Sequence, residues 1–214
     1  LLTVPVMLFL GLPGPVANGT NRIGILAQSI VSIAAFARRG FRDFQLSLSL
    51  SACAIPGAVV GALLGVQLEG VWFNRAVALI MVGVLLVMHF DKGAALRSAD
   101  YQPTRKQLIQ GHLLMLVVGF WGGIIQLGVG FIIMPILNRV MGLDLVRTNM
   151  HKVFIVAAYT AVALAIFASQ VELLWLVGIA LALGNAIGGY LGAHFTISKG
   201  ERMIRLVLNL VLVA

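Results

Sequence analysis

Nine polar side chains with the chemistry to bind a small ion lie beside or within long apolar runs of this sequence. Their amide and hydroxyl groups donate hydrogen bonds, and an arginine and a lysine add positive charge. Because no carboxylate is among them, the set suits an anion, and helix N-termini would add to the attraction. The candidate binding residues are Asn18, Thr20, Asn21, Arg22, Gln126, Thr148, Asn149, His151 and Lys152.

Each candidate also has an interpretation that involves no ligand. Arg22 and Lys152 lie about one turn inside apolar runs, where a charge usually faces a cavity or a transport path. Either side chain could instead extend to the nearby membrane interface. The threonines and asparagines could simply cap helices. His151 could bind the anion or respond to pH, or it could lie at the interface.

A glycine-rich stretch from 119 to 135 contains Gln126 and interrupts an otherwise apolar segment. In a bilayer, irregular backbone persists only where protein buries it or where it lines a wet cavity. We expect one helical arm over 111–127, a second over 130–142, and a tip at Gly128-Val-Gly130. The second arm would be only about 20 Å long, against a hydrocarbon core of roughly 30 Å. The pattern therefore predicts a re-entrant hairpin.

The composition is that of an integral membrane protein. The chain is 60% hydrophobic and 10% charged, with a mean hydropathy of +1.03, whereas about a quarter of the residues in a soluble domain are charged. Residues 76–88 and 153–169 carry no charge at all, as a membrane-spanning helix requires. The net charge of +8 comes from basic residues in short loops, which favours anchoring at the cytoplasmic lipid surface over nucleic-acid binding.

Two copies of one pattern divide the chain. Three glycines at every fourth position, which let a neighbouring helix approach closely, recur after an offset of 127 residues. An arginine recurs at the same offset, and a proline at 130. Chance similarity between glycine-rich segments is the alternative. The matched residues are Gly57, Gly61, Gly65, Arg75 and Pro5 in the first copy and Gly184, Gly188, Gly192, Arg202 and Pro135 in the second.

We therefore expect an all-α integral membrane protein made of two repeats. The first repeat is 1–90, the second is 111–214, and a polar cytoplasmic linker of 91–110 joins them. The arm 111–127 has no partner in the first repeat, which predicts a missing arm ahead of Leu1. About eight passes or half-passes are expected in total. The remaining arm of the first broken helix is expected at 1–12. Besides the two hairpin arms, further helices are expected at 20–38, 45–68, 75–90 and 150–168.

Loop charge predicts the orientation of the repeats. The loops 38–43, 91–110 and 196–202 are basic and are placed inside, whereas 69–74 and 168–174 are placed outside. The counterpart of loop 38–43 in the second repeat is 168–172. Since they fall on opposite sides, the two repeats are predicted to be inverted. Inverted repeats with broken helices are a recurrent plan of secondary transporters.

Two short motifs resemble those of the TauE/SafE sulfite exporter family. Each broken helix ending in proline is followed by a polar motif, Ala17-Asn-Gly-Thr-Asn21 in the first copy and a degraded Arg147-Thr-Asn149 in the second. The first is similar to the family pattern Ala-x-Gly-Thr-Ser, with asparagine in place of serine. The resemblance covers essentially the whole chain. It implies a multi-pass exporter of sulfite, organosulfonates or related sulfur anions in the bacterial inner membrane.

Two other classes of function remain as alternatives. An intramembrane enzyme is disfavoured because the sequence has no zinc-protease motif, no membrane aspartate pair and no Ser–His pair that spacing brings together. A scaffold subunit would need neither an inverted repeat nor polar breaks. The single cysteine, Cys53, cannot form an intrachain disulfide or a zinc site. No metal, cofactor or catalytic residue is therefore expected.

The positions of the acidic residues indicate what drives the expected transport. All seven lie in or beside predicted loops, whereas proton- or sodium-coupled carriers often keep a carboxylate inside the membrane. An anion that leaves a cell with a negative interior needs no coupling ion. The sequence therefore predicts export that is driven by the membrane potential.

Overall fold

A computed structural model of the chain describes the backbone of residues 3–90 and 101–213, and the side chains of residues 3–83 and 101–196. The part described is helical, with no strand, which confirms the predicted all-α class. The elements are α1 (Thr3–Phe9), α2 (Gly14–Arg38), α3 (Phe44–Gln67), α4 (Gly70–Phe90), α5 (Arg105–Ile124), α6 (Val129–Pro135), a π-helical turn (Ile136–Val140), α7 (Leu145–Gln170) and α8 (Trp175–Val213).

Five of the described helices are long and apolar enough to cross a bilayer: α2, α3, α5, α7 and the Trp175–Thr196 part of α8. Shorter apolar helical segments occupy Gly70–Gly83 and Val129–Val140. Large apolar side chains such as Leu79, Leu113 and Leu183 lie on the outside and are about two-thirds exposed. An apolar exterior of this kind is stable in lipid and costly in water.

Several helices begin earlier than the sequence suggested. The expected start of α2 at residue 20 is wrong, because Pro15 is tolerated in the first helical turn, where its missing N–H has no role. α7 begins at Leu145 because the Asp144 carboxylate accepts from the amides of Val146 and Arg147. Neither Asn18 nor Thr148 therefore caps its own helix.

Two other boundaries differ from the expected ones. α5 begins within the predicted linker, at Arg105, because Thr104 and Gln107 form a reciprocal capping box. The predicted loop at 196–202 is helical backbone within α8. One glycine there costs only about 1 kcal/mol of helix propensity, and no proline ends the helix. The residues 91–100 of the linker lie outside the described part of the chain.

α3 and α5 pack backbone against backbone through glycines. A methyl group added at Gly57, Gly61 or Gly65 would overlap backbone atoms of α5, and one added at Gly119 or Gly123 would overlap α3. Without side chains between them, the two helices approach closely enough for extensive van der Waals contact along their length. This contact confirms the close approach expected for the first glycine triplet.

The second glycine triplet does not behave in the same way. No described atom lies within 4 Å of a methyl group added at Gly184, Gly188 or Gly192. Here α8 packs on α2 through a different face, where a methyl group at Gly189 would overlap Gln28. The expectation that this triplet receives a neighbouring helix is therefore not met within the described residues.

The long helices pack mainly on helices of the other predicted repeat. α2 packs on α8, and its counterpart α7 packs on α3, the counterpart of α8. α2 and α7 also contact each other at the centre of the molecule. The largest buried apolar cluster lies between α3, α5, α6 and α7, and includes Leu50, Met115, Leu137 and Tyr159. The polar residues of interest lie between this cluster and α2.

The two glycine triplets provide a matched stability test. Gly61→Ala should destabilise the protein strongly, because the new methyl group would force α3 away from α5. Gly188 is the predicted counterpart of Gly61, but a methyl group added there meets open space. Gly188→Ala should therefore be neutral or should stabilise the protein by up to about 1 kcal/mol through helix propensity. Thermal melting of the purified variants in detergent measures both effects. Equal destabilisation by both substitutions would contradict this assignment of the covered and the open face.

Candidate functional site

The predicted break in the glycine-rich stretch is present. α5 ends at Ile124, residues 125–128 leave the helix, and α6 begins at Val129. Gly128 has φ +74°, a left-handed conformation that residues with a side chain rarely adopt, and it lies at the predicted tip. Ile125 and Leu127 are buried against α1 and α4, so protein surrounds the irregular backbone.

Side chains of α2 bind the carbonyl oxygens that α5 leaves unpaired. The last carbonyls of a helix have no intrahelical donors, and lipid cannot supply them. Arg22 donates from Nη1 to the Gly122 oxygen at 3.0 Å and from Nη2 to the Gly123 oxygen at 2.6 Å. Asn18 donates from Nδ2 to the Ile124 oxygen at 2.7 Å. α2 therefore caps α5, and the arginine charge also offsets the negative end of its dipole.

Arg22 is fully buried among uncharged groups. Its third acceptor is Gln126 Oε1, at 3.1 Å from Nη1, and its Cζ lies 4.6 Å from the ring centroid of Phe167. None of the ion pairs among the described residues includes it. The Nε atom is buried without a partner. Arg22 is thus a cation whose charge is compensated only by carbonyl and amide oxygens and an aromatic face.

A cavity of about 250 Å³ lies beside this network. Its walls come from α1, α2, α6, α7, α8 and the break, so both predicted repeats contribute. Lys152 supplies a positive charge, and none of the described ion pairs includes it. No carboxylate is among the described residues that line the cavity. The polar lining residues are Thr3, Asn21, Gln28, Ser29, Gln126, Lys152, Tyr159 and Asn185.

Four of the residues singled out in the sequence line this cavity: Asn21, Gln126, Lys152 and the tip glycine Gly130. Gly130 is open on the side where a Cβ would point. The other tip glycine, Gly128, is not a lining residue.

The remaining candidates have other contacts. Thr20 accepts a hydrogen bond from the Leu174 amide at 3.2 Å, close to the start of α8. Thr148 contacts the Leu143 oxygen at 3.4 Å, and Asn149 donates to Thr196 Oγ1 at 3.1 Å. Asn18, Arg22 and His151 are also absent from the lining. The structure therefore separates the nine candidates into three that surround the cavity and six that hold helices together.

His151 belongs to a polar cluster at the end of the molecule where α3 and α7 begin. Its Nδ1 lies 2.8 Å from Ser47 Oγ, and its Nε2 lies 3.7 Å from the Asp43 carboxylate. Arg147 pairs with Asp43 at 3.2 Å and donates to the Tyr101 oxygen at 2.9 Å. These contacts join the loop 38–43, the linker and the start of α7 at one end of the helices.

This cluster contains a Ser–His pair that sequence spacing did not reveal. The two residues are 104 positions apart, so only the fold brings them together. A serine nucleophile needs hydrogen bonds from serine to histidine and from histidine to a carboxylate. Here the second distance, 3.7 Å, is too long for a hydrogen bond, and Ser47 Oγ also lies 3.1 Å from the Asp43 carbonyl oxygen. The geometry favours a structural tie between helices.

Five polar lining residues were missed by sequence reasoning: Thr3, Gln28, Ser29, Tyr159 and Asn185. A signal was available for three of them. Gln28 lies seven residues after Asn21, and Tyr159 seven after Lys152, which places each pair on one helical face. Ser29 extends the same face of α2. Asn185 carries no such signal, because it is a single amide within a run of small and apolar residues.

Comparison with known proteins agrees with this architecture. The family model "Sulfite exporter TauE/SafE" matches residues 1–214, the whole chain. The chain belongs to the TauE/SafE family. No solved structure matches it significantly.

Curated relatives of this TauE/SafE protein are described as membrane transporters. "Probable membrane transporter protein ORF9" of Sinorhizobium sp is 25% identical over 214 residues, covering 100% of this chain and 81% of the relative. A probable membrane transporter protein of Haemophilus influenzae is 23% identical, covering 96% and 80%. "Probable membrane transporter protein YfcA" of Escherichia coli K12 is 24% identical, covering 99% and 78%. This TauE/SafE chain is therefore a multi-pass membrane transporter.

The cap on α5 generates a prediction about Arg22. Arg22→Met should leave two backbone carbonyls and Gln126 without donors, at about 1–3 kcal/mol for each unsatisfied group. Three such groups cost about 3–9 kcal/mol in total, so at about 2–4 °C per kcal/mol the melting temperature should fall by roughly 6 °C or more. Arg38→Met, at an exposed position in the same helix, is the matched control and should change little. If Arg22→Met melts like the wild type but loses transport, Arg22 binds the anion directly.

Proposed function

We propose that this protein exports a small sulfur-containing oxyanion, such as sulfite or an organosulfonate, across the bacterial inner membrane. The observation that carries the proposal is the cavity between the two repeats. It contains a cation, Lys152, and several neutral donors, and the lining residues that the structure describes include no carboxylate. Such a site attracts a small anion and offers a cation no charged ligand. The description of the matching family as a sulfite exporter supports the choice of substrate class.

The dimensions of the cavity fit this class of substrate. Its volume of about 250 Å³ corresponds to roughly eight water molecules at about 30 Å³ each. A sulfite or a short organosulfonate fits with some of its hydration water. The lining is mixed, with Ile25, Val153 and Val156 beside the polar groups, so an organic sulfonate would find apolar contacts as well. The donors are amides and hydroxyls on four separate helices, which can surround several oxygens of one anion.

We further propose that the two repeats are inverted and that the break over 125–128 belongs to a re-entrant hairpin. Two sets of contacts support this. Asp43, Tyr101 and Arg147 meet at one end of the helices, whereas Thr20 meets Leu174 far along α2 from that end. The basic loop 38–43 and Tyr101 of the linker thus lie away from the loop 168–174. Alternating access would then open the central cavity toward one side at a time.

The membrane potential is the proposed source of energy. The acidic side chains that the structure describes, Asp43, Glu69, Asp144 and Glu172, all lie at helix ends or between helices. None of these four carboxylates lines the cavity, where it could take up a coupling proton or sodium ion. A potential of 100 mV supplies about 2.3 kcal/mol per charge, which supports a gradient of roughly fiftyfold at 1.4 kcal/mol per tenfold step. An anion that leaves a cell with a negative interior therefore needs no coupling to a proton or sodium gradient.

Transport by reconstituted protein tests this function. In proteoliposomes, a potential imposed with potassium and valinomycin should drive sulfite or organosulfonate flux without a pH or sodium gradient. Lys152→Gln should lower that flux at least tenfold, because the cavity loses its cation. Lys106→Gln, at an exposed site near the start of α5, is the matched control and should transport like the wild type.

Two outcomes would contradict the proposal in different ways. Flux that requires a proton gradient and ignores the valinomycin potential would exclude the uncoupled mechanism. The absence of flux for every sulfur oxyanion, from protein that is folded and correctly inserted, would exclude the substrate class.

Labelling of single cysteines tests the inverted arrangement. In a Cys53→Ala background, a cysteine replacing Gly40 should react from the cytoplasmic side, and one replacing Gln170 should react from the external side. Both positions are exposed at helix ends, so a membrane-impermeant maleimide can reach them. Labelling of both positions from the same side would show that the repeats are parallel.

A further inference from the structure

The polar side chains near the start of α2 do not all have partners. Asn18 and Arg22 donate to carbonyl oxygens at the end of α5, and Thr20 accepts from the Leu174 amide. The side-chain amide of Asn21 makes no hydrogen bond with any residue that the structure describes, although Asn21 is only 6% exposed. Buried amides are nearly always paired. Asn21 therefore differs from its neighbours in having a buried amide that joins no two helices.

The amide of Asn21 is accessible from the cavity. Asn21 lines the cavity together with Ile25 and Ser29, which lie four and eight residues further along one face of α2. Two other polar atoms of α2 that lack partners, Asn18 Oδ1 and Arg22 Nε, are completely enclosed by protein, whereas the polar atoms of Asn21 are not. A small molecule in the cavity can therefore contact the Asn21 amide.

A second amide lies one helical turn away. Asn185 of α8 approaches α2 at Gly24, where a Cβ would overlap its amide nitrogen, and Gly24 is three residues after Asn21. Asn185 also lines the cavity and has no hydrogen bond with a described residue. Because each carboxamide carries two N–H donors, this part of the wall is rich in unused donors. The charge comes from another helix, since Lys152 lies on α7.

We propose that Asn21 is a specificity-determining residue of the cavity, donating from its side-chain amide to an oxygen of the transported anion, with Asn185 as a second donor beside it. The inference rests on the proposed export of an oxyanion and names the groups that recognise it. Lys152 attracts any small anion, whereas the amides of α2 and α8 add directional contacts. An anion with several oxygens can make these contacts at the same time, but chloride has a single acceptor atom. Asn21 therefore favours sulfur oxyanions over chloride.

This role predicts a particular relation between stability and transport. An amide that is buried without a partner contributes no hydrogen bond to the fold, so an apolar side chain of similar size should replace it without loss of stability. A residue that holds helices together behaves differently, because its replacement leaves a partner unpaired. A binding residue is thus recognised by a variant that stays stable and loses affinity for the substrate.

Asn21→Leu tests the proposal, because leucine has a similar size and no hydrogen-bonding group. In proteoliposomes, the KM for sulfite should rise about tenfold or more, as expected for the loss of a hydrogen bond to a charged group. The kcat and the inhibition constant of chloride should each change by less than about threefold. The melting temperature without anion should equal or exceed that of the wild type. Asn74→Leu, at an exposed position of α4 outside the cavity, is the matched control and should leave KM unchanged.

The outcomes separate this inference from the proposed function. An unchanged KM for sulfite in folded Asn21→Leu protein would overturn the role of Asn21 and leave oxyanion export intact. An equal weakening of sulfite and chloride binding would overturn its role in specificity. No sulfite flux from folded, correctly inserted wild-type protein would overturn both proposals. If Asn21→Leu does not fold, Asn21→Ala provides the second test, because alanine adds no bulk. That variant should also raise the KM for sulfite, and an unchanged KM would overturn the inference.

Discussion

The structure depends on how the broken end of α5 satisfies its backbone carbonyls in a setting without water. Gly122, Gly123 and Ile124 point their oxygens at α2, and Arg22 and Asn18 supply the donors. An unpaired carbonyl in lipid costs several kcal/mol, so a helix can end inside the membrane only where such donors are provided. The arginine in turn needs acceptors, and the freed carbonyls are those acceptors. The break and the buried cation therefore stabilise each other, and neither would persist alone.

This mutual dependence requires the surrounding helices to be held rigidly. The glycine contacts fix α5 against α3 at backbone distance, which places the end of α5 at a defined depth beside α2. α7 closes the other side, with Tyr159 over Gly122 and Phe167 over the guanidinium. The cavity is what remains between the capped break, α2 and α7. Gln126 connects the cavity to the cap, because its side chain accepts from Arg22 and also lines the cavity.

The sequence predicted those features that follow from local composition. Glycine at 128 indicated the tip because few other residues adopt a positive φ, and the triplet of Gly57, Gly61 and Gly65 indicated a close helix contact. It could not predict the partners of Arg22, since an arginine in an apolar run satisfies either an anion or unpaired carbonyls equally well. The contact between Ser47 and His151 joins residues 104 positions apart, which periodicity cannot reveal. Local patterns thus specified the elements, and long-range packing specified which polar groups meet.

The two predicted repeats contribute unequally to the cavity, and one pair of positions that the repeat pattern aligns shows the physical reason. Aligning Thr20-Asn21 with Thr148-Asn149 makes Gly24 the counterpart of Lys152. A Cβ at Gly24 would overlap the side-chain amide of Asn185, so the absence of a side chain on α2 is what lets α8 bring that amide to the cavity wall. Lys152 of the second predicted repeat supplies the charge, and the missing side chain at Gly24 of the first leaves room for a neutral donor, Asn185. A second cation at position 24 would repel Lys152 across a small cavity and would hold the proposed anion more tightly. A single cation opposed by amides therefore suits the proposed transport, in which the anion must both bind and leave.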